Sequence, residues 1–503
     1  MKKILAAILA IFMLASVLSI VSFTAFAENE PAPGTVLRIS AVKSDGKTTI
    51  VVKDHTNFET GWNEAITLVS PKSMKENKYT RIIVDFYADW KANADGEFGS
   101  GAGFSFSTLR IPDEASITLN LNGHKIDRDL KEWEYDGEVL YINEGANVTI
   151  NDGTITGGWS CNGAGGIHVD DNGTLVLNNV HLVDNKVVDD DGSAIAAYNN
   201  STVTMNGGSI SNNRMHLSHS YYNTNPYGTI YLSDSKAVLT EVEIANNDAT
   251  GLFWAEGLVV YLNDSEATMK NCVVKNNGCL PTDKDPATGK VVDAEIPSSL
   301  FCISDSDSTL NVIGCKFENN GDEKKDLTGT IDRNYDIFNI DGGRLVVTDS
   351  SFESNKLNHI IFAGGGAFEV ENSRFINNRA RLFYNRVDSG YFEKCTFSGN
   401  NLKGKSGVYV KYRIHSKGIQ FSDCDFVNNP LTDEEHKKSV ILDTETSNGT
   451  GSIFGEGSLS MIISLLALIT STVSICLTIV YNKKKDAPVA VNSTKTTKTQ
   501  DEE

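Results

Sequence analysis

The residues best able to do chemistry lie in two kinds of place. Carboxylates gather in short polar turns: Asp170 and Asp171, Asp234, Asp264, Asp305 and Asp307, and Asp341 recur at one point of a repeating pattern, while Asp189, Asp190 and Asp191 occupy a different turn. Oxygen ligands along one edge would suit calcium. Aspartate is equally what a tight turn demands of its backbone, and that role is the expectation here. The second place is RMHLSHSYYNTNPYG (214–228), where His216, His219, Tyr221, Tyr222 and Tyr227 stand close together. Exposed tyrosines suit stacking on sugars or contact with another protein, so these five are the candidate ligand contacts. The alternative is that the rings pin their segment to the body of the protein. H-x-x-H alone is a weak metal signal, and no cofactor is expected beyond the calcium those turns suggest.

Glycoside hydrolysis needs two carboxylates facing across a groove, and no pair can be singled out, so no catalytic residue is assigned. Eight cysteines are present. No C-x-x-C pair exists, which argues against structural zinc. Cys272, Cys315, Cys395 and Cys424 share one place in the repeat, which Gly208, Val242, Ser350 and Ser373 fill elsewhere. Small buried residues belong there, so these cysteines read as packing. Disulfides between successive copies are the alternative.

Those residues hang on a repeat. TLVLNNVHLVDN (174–185), TVTMNGGSISNN (202–213), KAVLTEVEIANN (236–247), EATMKNCVVKNN (266–277) and TLNVIGCKFENN (309–320) share a twelve-residue frame. RLVVTDSSFESN (344–355), AFEVENSRFINN (367–378), SGYFEKCTFSGN (389–400) and GIQFSDCDFVNN (418–429) continue it, and NVTINDGTITGG (147–158) fits imperfectly at the start. Alternation in the first half predicts a strand with one face buried. A polar turn follows, then a second short strand carrying a small residue and a large one, then Asn. A third strand precedes each frame, as in IHV (167–169), IYL (230–232), VVYL (259–262) and IFNI (337–340). Three short strands cannot bury their faces alone, so coils of about 22 residues at the shortest must stack. The fold class is all-β, a parallel β-helix of about ten coils.

On these coils the chain resembles the pectin-lyase-like right-handed parallel β-helix superfamily. Its repeats are similar to those of bacterial surface proteins with polymorphic-outer-membrane-protein-type repeats, and ITLNLNGHKIDRDL (117–130) resembles the opening coil of exported clostridial β-helix proteins. The resemblance spans roughly residues 60–430. It implies that Asn185, Asn213, Asn247, Asn277, Asn320, Asn355, Asn378, Asn400 and Asn429 form a ladder of stacked amides in one turn. For activity it implies little, because one fold hosts many functions. Polygalacturonases of the superfamily carry NxD, DD, GHG and RxK in order; this chain has DD pairs but neither GHG nor RxK. Pectate lyases pair calcium-binding aspartates with an arginine base, yet Arg333, Arg381, Arg386 and Arg413 sit in no recognisable lyase motif. His124, in NGHK, reads as a turn or core residue.

The ends complete the organisation. Residues 1–27, with a basic start, an apolar middle and Ala25-Phe26-Ala27, read as a secretory signal peptide. MIISLLALITSTVSICLTIVY is uncharged and is followed by Lys483, Lys484 and Lys485, so 460–481 is expected to cross a membrane with the bulk of the chain outside. Between these ends, 28–110 would hold an N-terminal segment and a helix-end cap, 111–435 the β-helix and 436–459 a stalk. Residues 482–503 would be a cytoplasmic tail. Within the cap, NFETGWNEAITLV (57–69) has helical spacing and RIIVDFYADW (81–90) reads as a strand, while 28–55 has no assigned element. Seven cysteines fall outside the span, an odd number. The net charge of −20 argues against nucleic acid and makes polyanionic pectate an awkward ligand. Three readings fit: a non-catalytic surface adhesin binding a glycan or a surface protein; a polysaccharide lyase or glycoside hydrolase; and a structural envelope spacer.

Overall fold

The computed structural model describes residues 30–105, 108–217, 227–251, 256–278, 299–321, 336–385, 389–402 and 419–427, with strand pieces at 283–284, 291–292, 405–406, 410–411 and 440–443. The expected signal peptide, membrane span and tail lie outside the described residues, as does all of the stalk but 440–443. Among the described residues no helix is long and apolar enough to cross a membrane.

The N-terminal part builds a lid of mixed structure. Strand β1 (Leu37–Lys43) and β2 (Thr49–His55) form an antiparallel hairpin, filling the region with no expected element. Helix α1 (Phe58–Val69) starts where the Asn57 side chain accepts the Thr60 N–H at 2.9 Å, satisfying one of the unpaired donors of the first turn. Its Trp62, Ala65, Ile66 and Val69 recur at helical spacing and are all buried. Trp62 donates Nε1–H to the Gly103 carbonyl at 2.7 Å, so the indole loses no hydrogen bond on burial. Helix α2 (Pro71–Asn77) leads into β3 (Tyr79–Phe86), which runs antiparallel to β1 and parallel to Ser116–Asn120. The hairpin thus extends the sheet on which the coils begin, covering an edge that would otherwise pair with another chain.

From there the strands form parallel sheets. The first, of 25 strands, holds both halves of the repeat; the second, of 12, holds the strand before each frame; the third, of four, follows the terminal Asn. The frames stack in register: Thr174, Thr202, Lys236, Glu266, Thr309, Arg344, Ala367 and Ser389 are successive partners. The pairing of Gly390 with Ile419 carries the same register into the ninth frame. Three parallel sheets were expected, one for each strand of a coil, but both halves of the frame share the first sheet and the third is built from strands that follow the terminal Asn. It comprises Trp159–Ser160, Lys186–Val188, Arg214–Leu217 and Asp248–Gly251.

Two left-handed residues shape each fully described frame. At the sixth position, Asn179, Glu241, Asn271, Asp349, Asn372, Lys394 and Asp423 have φ between +48° and +57°, and Gly207 and Gly314 lie at +66° and +64°. At the eleventh, Asp184, Asn212, Asn246, Asn276, Asn319, Ser354 and Asn377 lie between +52° and +57°. Side chains that tolerate positive φ dominate both places, as the backbone requires. The turn at the frame's end is therefore made by the residue before the last.

The last residue has a separate task. Asn277 Oδ1 accepts the Asn247 main-chain N–H at 3.0 Å and its Nδ2–H at 3.0 Å, while Asn277 Nδ2 donates to the Ile244 carbonyl at 3.0 Å. The same bonds link Asn185, Asn213, Asn247, Asn277, Asn320, Asn355, Asn378 and Asn400 in one buried column. Asn429 lies outside the described residues. Buried amides are costly without partners, and here the main chain and the next amide supply them.

The ninth position points inward. Leu182, Ile210, Ile244 and Val274 fill it in the earlier coils, and Phe317, Phe352, Phe375 and Phe397 in the later ones, all nearly solvent-free. The later rings stack at 4.6, 4.8 and 4.9 Å with planes within 14° of parallel, which is the spacing of the strands that carry them.

Candidate functional site

The second sheet presents its central residues outward. Tyr141 pairs with His168, His168 with Ala196, Ala196 with Tyr231, Tyr231 with Tyr261 and Tyr261 with Cys302. Tyr198, two residues beyond Ala196, turns back over the gap that alanine leaves. The outcome is a row of rings up the outer face: Tyr141 on His168 at 4.4 Å, His168 on Tyr198 at 5.0 Å, Tyr198 beside Tyr231 at 5.5 Å, and Tyr231 on Tyr261 at 5.7 Å. Tyr227 lies against Tyr261 at 4.2 Å. All but Tyr231 keep part of their surface in solvent.

Carboxylates border this row on both sides. On one, Asp170 Oδ2 accepts the Tyr141 hydroxyl at 2.8 Å and Oδ1 the Asp171 N–H at 3.0 Å. Burial works against the charge there, but those two donors and His168 hold the Asp170 carboxyl below the ordinary range. On the other, Asp190 Oδ2 accepts the Gly163 N–H at 3.0 Å and Oδ1 the Asp191 N–H at 2.8 Å. Burial, with neighbouring Asp189, still pushes Asp190 up to about 6. Asp191 is pushed well above its usual value by burial and by Asp190. Glu256, bridged to Tyr227 through the backbone, is also raised, by burial and then by Asp341. Two carboxylates side by side cannot both ionise cheaply where water is scarce.

His168 is neutral at the centre of the row. Burial lowers it to about 4, against the opposing pull of Asp170 and Asp136. Its Nδ1 faces Gly163, where a Cβ would come within 2.4 Å, so the 161–166 turn closes over the imidazole only with glycine at that point. That glycine has φ +88° as well.

The expected contact residues fare differently. His216 belongs to a strand of the third sheet, paired with Val188 and Thr250, and is 5% exposed, so it is no loop residue. The apolar residues around it, Met215 and Val187, are core, and they hold the start of the 214–228 segment in the sheet. Tyr227 lies in the row. His219, Tyr221 and Tyr222 lie outside the described residues. Asp234, Asp264 and Asp305 sit at φ +48°, +46° and +69°, which gives them a backbone role in their turns. Among the described residues no three His, Cys, Asp or Glu side chains converge as metal ligands.

Tyr141, His168, Tyr198, Tyr231 and Tyr261 were missed from sequence, although IHV and IYL were read as strands; the signal was the ring at the centre of each triplet. Trp133 and Tyr135, 49% and 62% exposed, were missed as well. They stand on the turn that leads into Leu140–Ile142.

The shared cysteine place carries hydrogen bonds as well as bulk. The Cys315 N–H donates to Ser350 Oγ at 3.1 Å, the Ser350 N–H to Ser373 Oγ at 3.1 Å, and the Cys272 N–H to Cys315 Sγ at 3.3 Å. Each side chain also donates to the carbonyl two residues before it, as Ser373 does to Glu371 at 2.9 Å and Cys395 to Glu393 at 3.3 Å. The six described cysteines are thiols.

Residues 137–331, which carry the whole of this row, match the model of the family described as right handed beta helix region. The chain carries a right-handed β-helix. No curated protein and no solved structure matches it.

Proposed function

We propose that the outer face of the second sheet is a glycan-binding surface, and that the chain is a cell-surface β-helix of the kind with polymorphic-outer-membrane-protein-type repeats, anchored through 460–481. One observation supports this: rings repeat outward at the period of the coils, Tyr141, His168, Tyr198, Tyr231 and Tyr261, with carboxylates along both margins. A sugar chain can lie along the solvent-facing side of such a column, and the margins supply acceptors for its hydroxyls. The acidic margins disfavour uronates, so the ligand class is a neutral or N-acetylated polysaccharide.

A second reading, a glycoside hydrolase acting at the same surface, is favoured by Asp190 and Asp191, whose raised pKa values suit a proton donor. Incubating the full chain with a panel of neutral, N-acetylated and uronate polysaccharides distinguishes the readings. Retention on neutral or N-acetylated chains without new reducing ends is the expected result. New reducing ends would establish the hydrolase, and retention on uronates alone would defeat the charge argument.

A further inference from the structure

The frame's seventh position brings cysteines together twice. Val273 pairs with Lys316 and Thr396 with Asp425, so Cys272 lies directly beneath Cys315, and Cys395 beneath Cys424, in successive coils. Cysteine Cα atoms one rung apart are separated by about 4.8 Å, inside the roughly 4.4–6.8 Å that a disulfide spans. The Cys272 N–H also donates to Cys315 Sγ at 3.3 Å, which sets the sulfur of one coil against the backbone of its neighbour. We propose that Cys272–Cys315 and Cys395–Cys424 are sites of disulfide formation, each bridge riveting one coil to the next.

The other described cysteines are placed differently. Cys302 has Tyr261 and Asn339 as its neighbours in register, and Cys161 lies in the turn beside Asp190. Among the described cysteines the geometry therefore selects two pairs. The oxidant is another disulfide, of a small thiol or of a thiol–disulfide exchange protein. A cysteine thiolate attacks one of its sulfurs, a mixed disulfide forms, and one thiolate leaves. The second cysteine, losing its proton, attacks the mixed disulfide and expels the other thiolate. Two protein thiols become one disulfide while one external disulfide becomes two thiols. Cys424 is the attacking group of its pair: it is half-buried, whereas Cys395 is 1% exposed. The neighbouring Cys395 thiol also lowers the Cys424 pKa, favouring the thiolate. Cys272 and Cys315 are buried to within 1%, so their bridge forms as the coil closes.

The test folds the full chain in a mixture of oxidised and reduced glutathione, quenches it in acid, alkylates it with N-ethylmaleimide in denaturant, and maps unreduced peptides by mass spectrometry. The expected map shows Cys272 linked to Cys315 and Cys395 linked to Cys424, with Cys161 and Cys302 alkylated. Reduction should lower Tm by roughly 5 °C. The variants Cys272→Ser and Cys424→Ser keep the rung, because Ser350 and Ser373 already fill it elsewhere. In each variant the abandoned partner, Cys315 or Cys395, should become alkylated while the other bridge persists. Alkylation of all four cysteines in the folded, oxidised wild type overturns the proposal, and so does linkage of any of them to a different cysteine.

Discussion

The earlier coils stack their rings on the outer face, whereas the later coils stack theirs in the core and keep Phe362 outward. In the coils between Tyr141 and Tyr261 the ninth frame position is aliphatic, and the aromatic stack climbs the outer face. In the coils from Phe317 to Phe397 the stack runs through the core, and the outward places of the second sheet hold Cys302, Asn339 and Phe362. Both stacks have the coil's period because the register of the coils sets them, Tyr198 joining the outer one from two residues beyond its register place. Their energetics differ. An inner ring replaces water by neighbours on every side and stabilises the fold; an outer ring stacks on its neighbours yet keeps part of its surface in solvent, and that part is available to a ligand. A stacked column is thus a consequence of the fold in either region, and only its side of the sheet separates packing from binding.

Five substitutions would break or sharpen that contrast. The largest effect is expected from Phe352→Ala, which opens a void between Phe317 and Phe375 and should cost about 3–5 kcal/mol in chemical denaturation, with glycan retention unchanged in the molecules that remain folded. Asn277→Ala strands the Asn247 N–H groups and the Ile244 carbonyl in a dry turn; a loss of about 2–4 kcal/mol is expected from the same measurement, and a loss below ~0.5 kcal/mol would deny the column its role. Tyr261→Ala should reverse the ranking, weakening glycan binding about tenfold while shifting stability less than Phe352→Ala does.

The smallest effect concerns pH. His168 is held neutral by burial, with a folded pKa of about 4 against about 6.5 when unfolded, so below the folded value both states carry the proton and the native state bears its full cost. That cost disappears as pH rises from about 4 to about 6.5. Wild type should therefore gain stability relative to His168→Gln across this window and hold a constant difference above it. Asp190 acts in the opposite sense. Its folded pKa is raised to about 6, so stability is lost as pH climbs from about 4 to about 6. Asp190→Asn should remove that decline, and unfolding curves at pH 4 and pH 7 would separate the two contributions.

Much of this architecture was legible in the residues. The twelve-residue frame was visible because buried strands alternate and the terminal Asn is constant, and the frame's first residues prove to be pairing partners from coil to coil. The β1–β2 hairpin escaped notice although Asp45-Gly46 stands between two alternating runs, a recognised turn signal. The third sheet left little trace, because its strands run two to four residues and Trp159–Ser160, Lys186–Val188 and Asp248–Gly251 share no apolar pattern. The outer row was the hardest to see. Each coil contributes a single ring, and Tyr198 joins from a neighbouring position to fill the place above Ala196. Only the register assembles them.

The central claim, that the outer row rather than the inner column is the binding surface, is tested most directly by calorimetric titration of the full chain with neutral and N-acetylated oligosaccharides of increasing length. Affinity should rise with each added sugar until the oligosaccharide spans the row from Tyr141 to Tyr261, and that rise should vanish in the Tyr141→Ala, Tyr261→Ala double variant. Affinity independent of length, or unchanged in the double variant, would contradict the account.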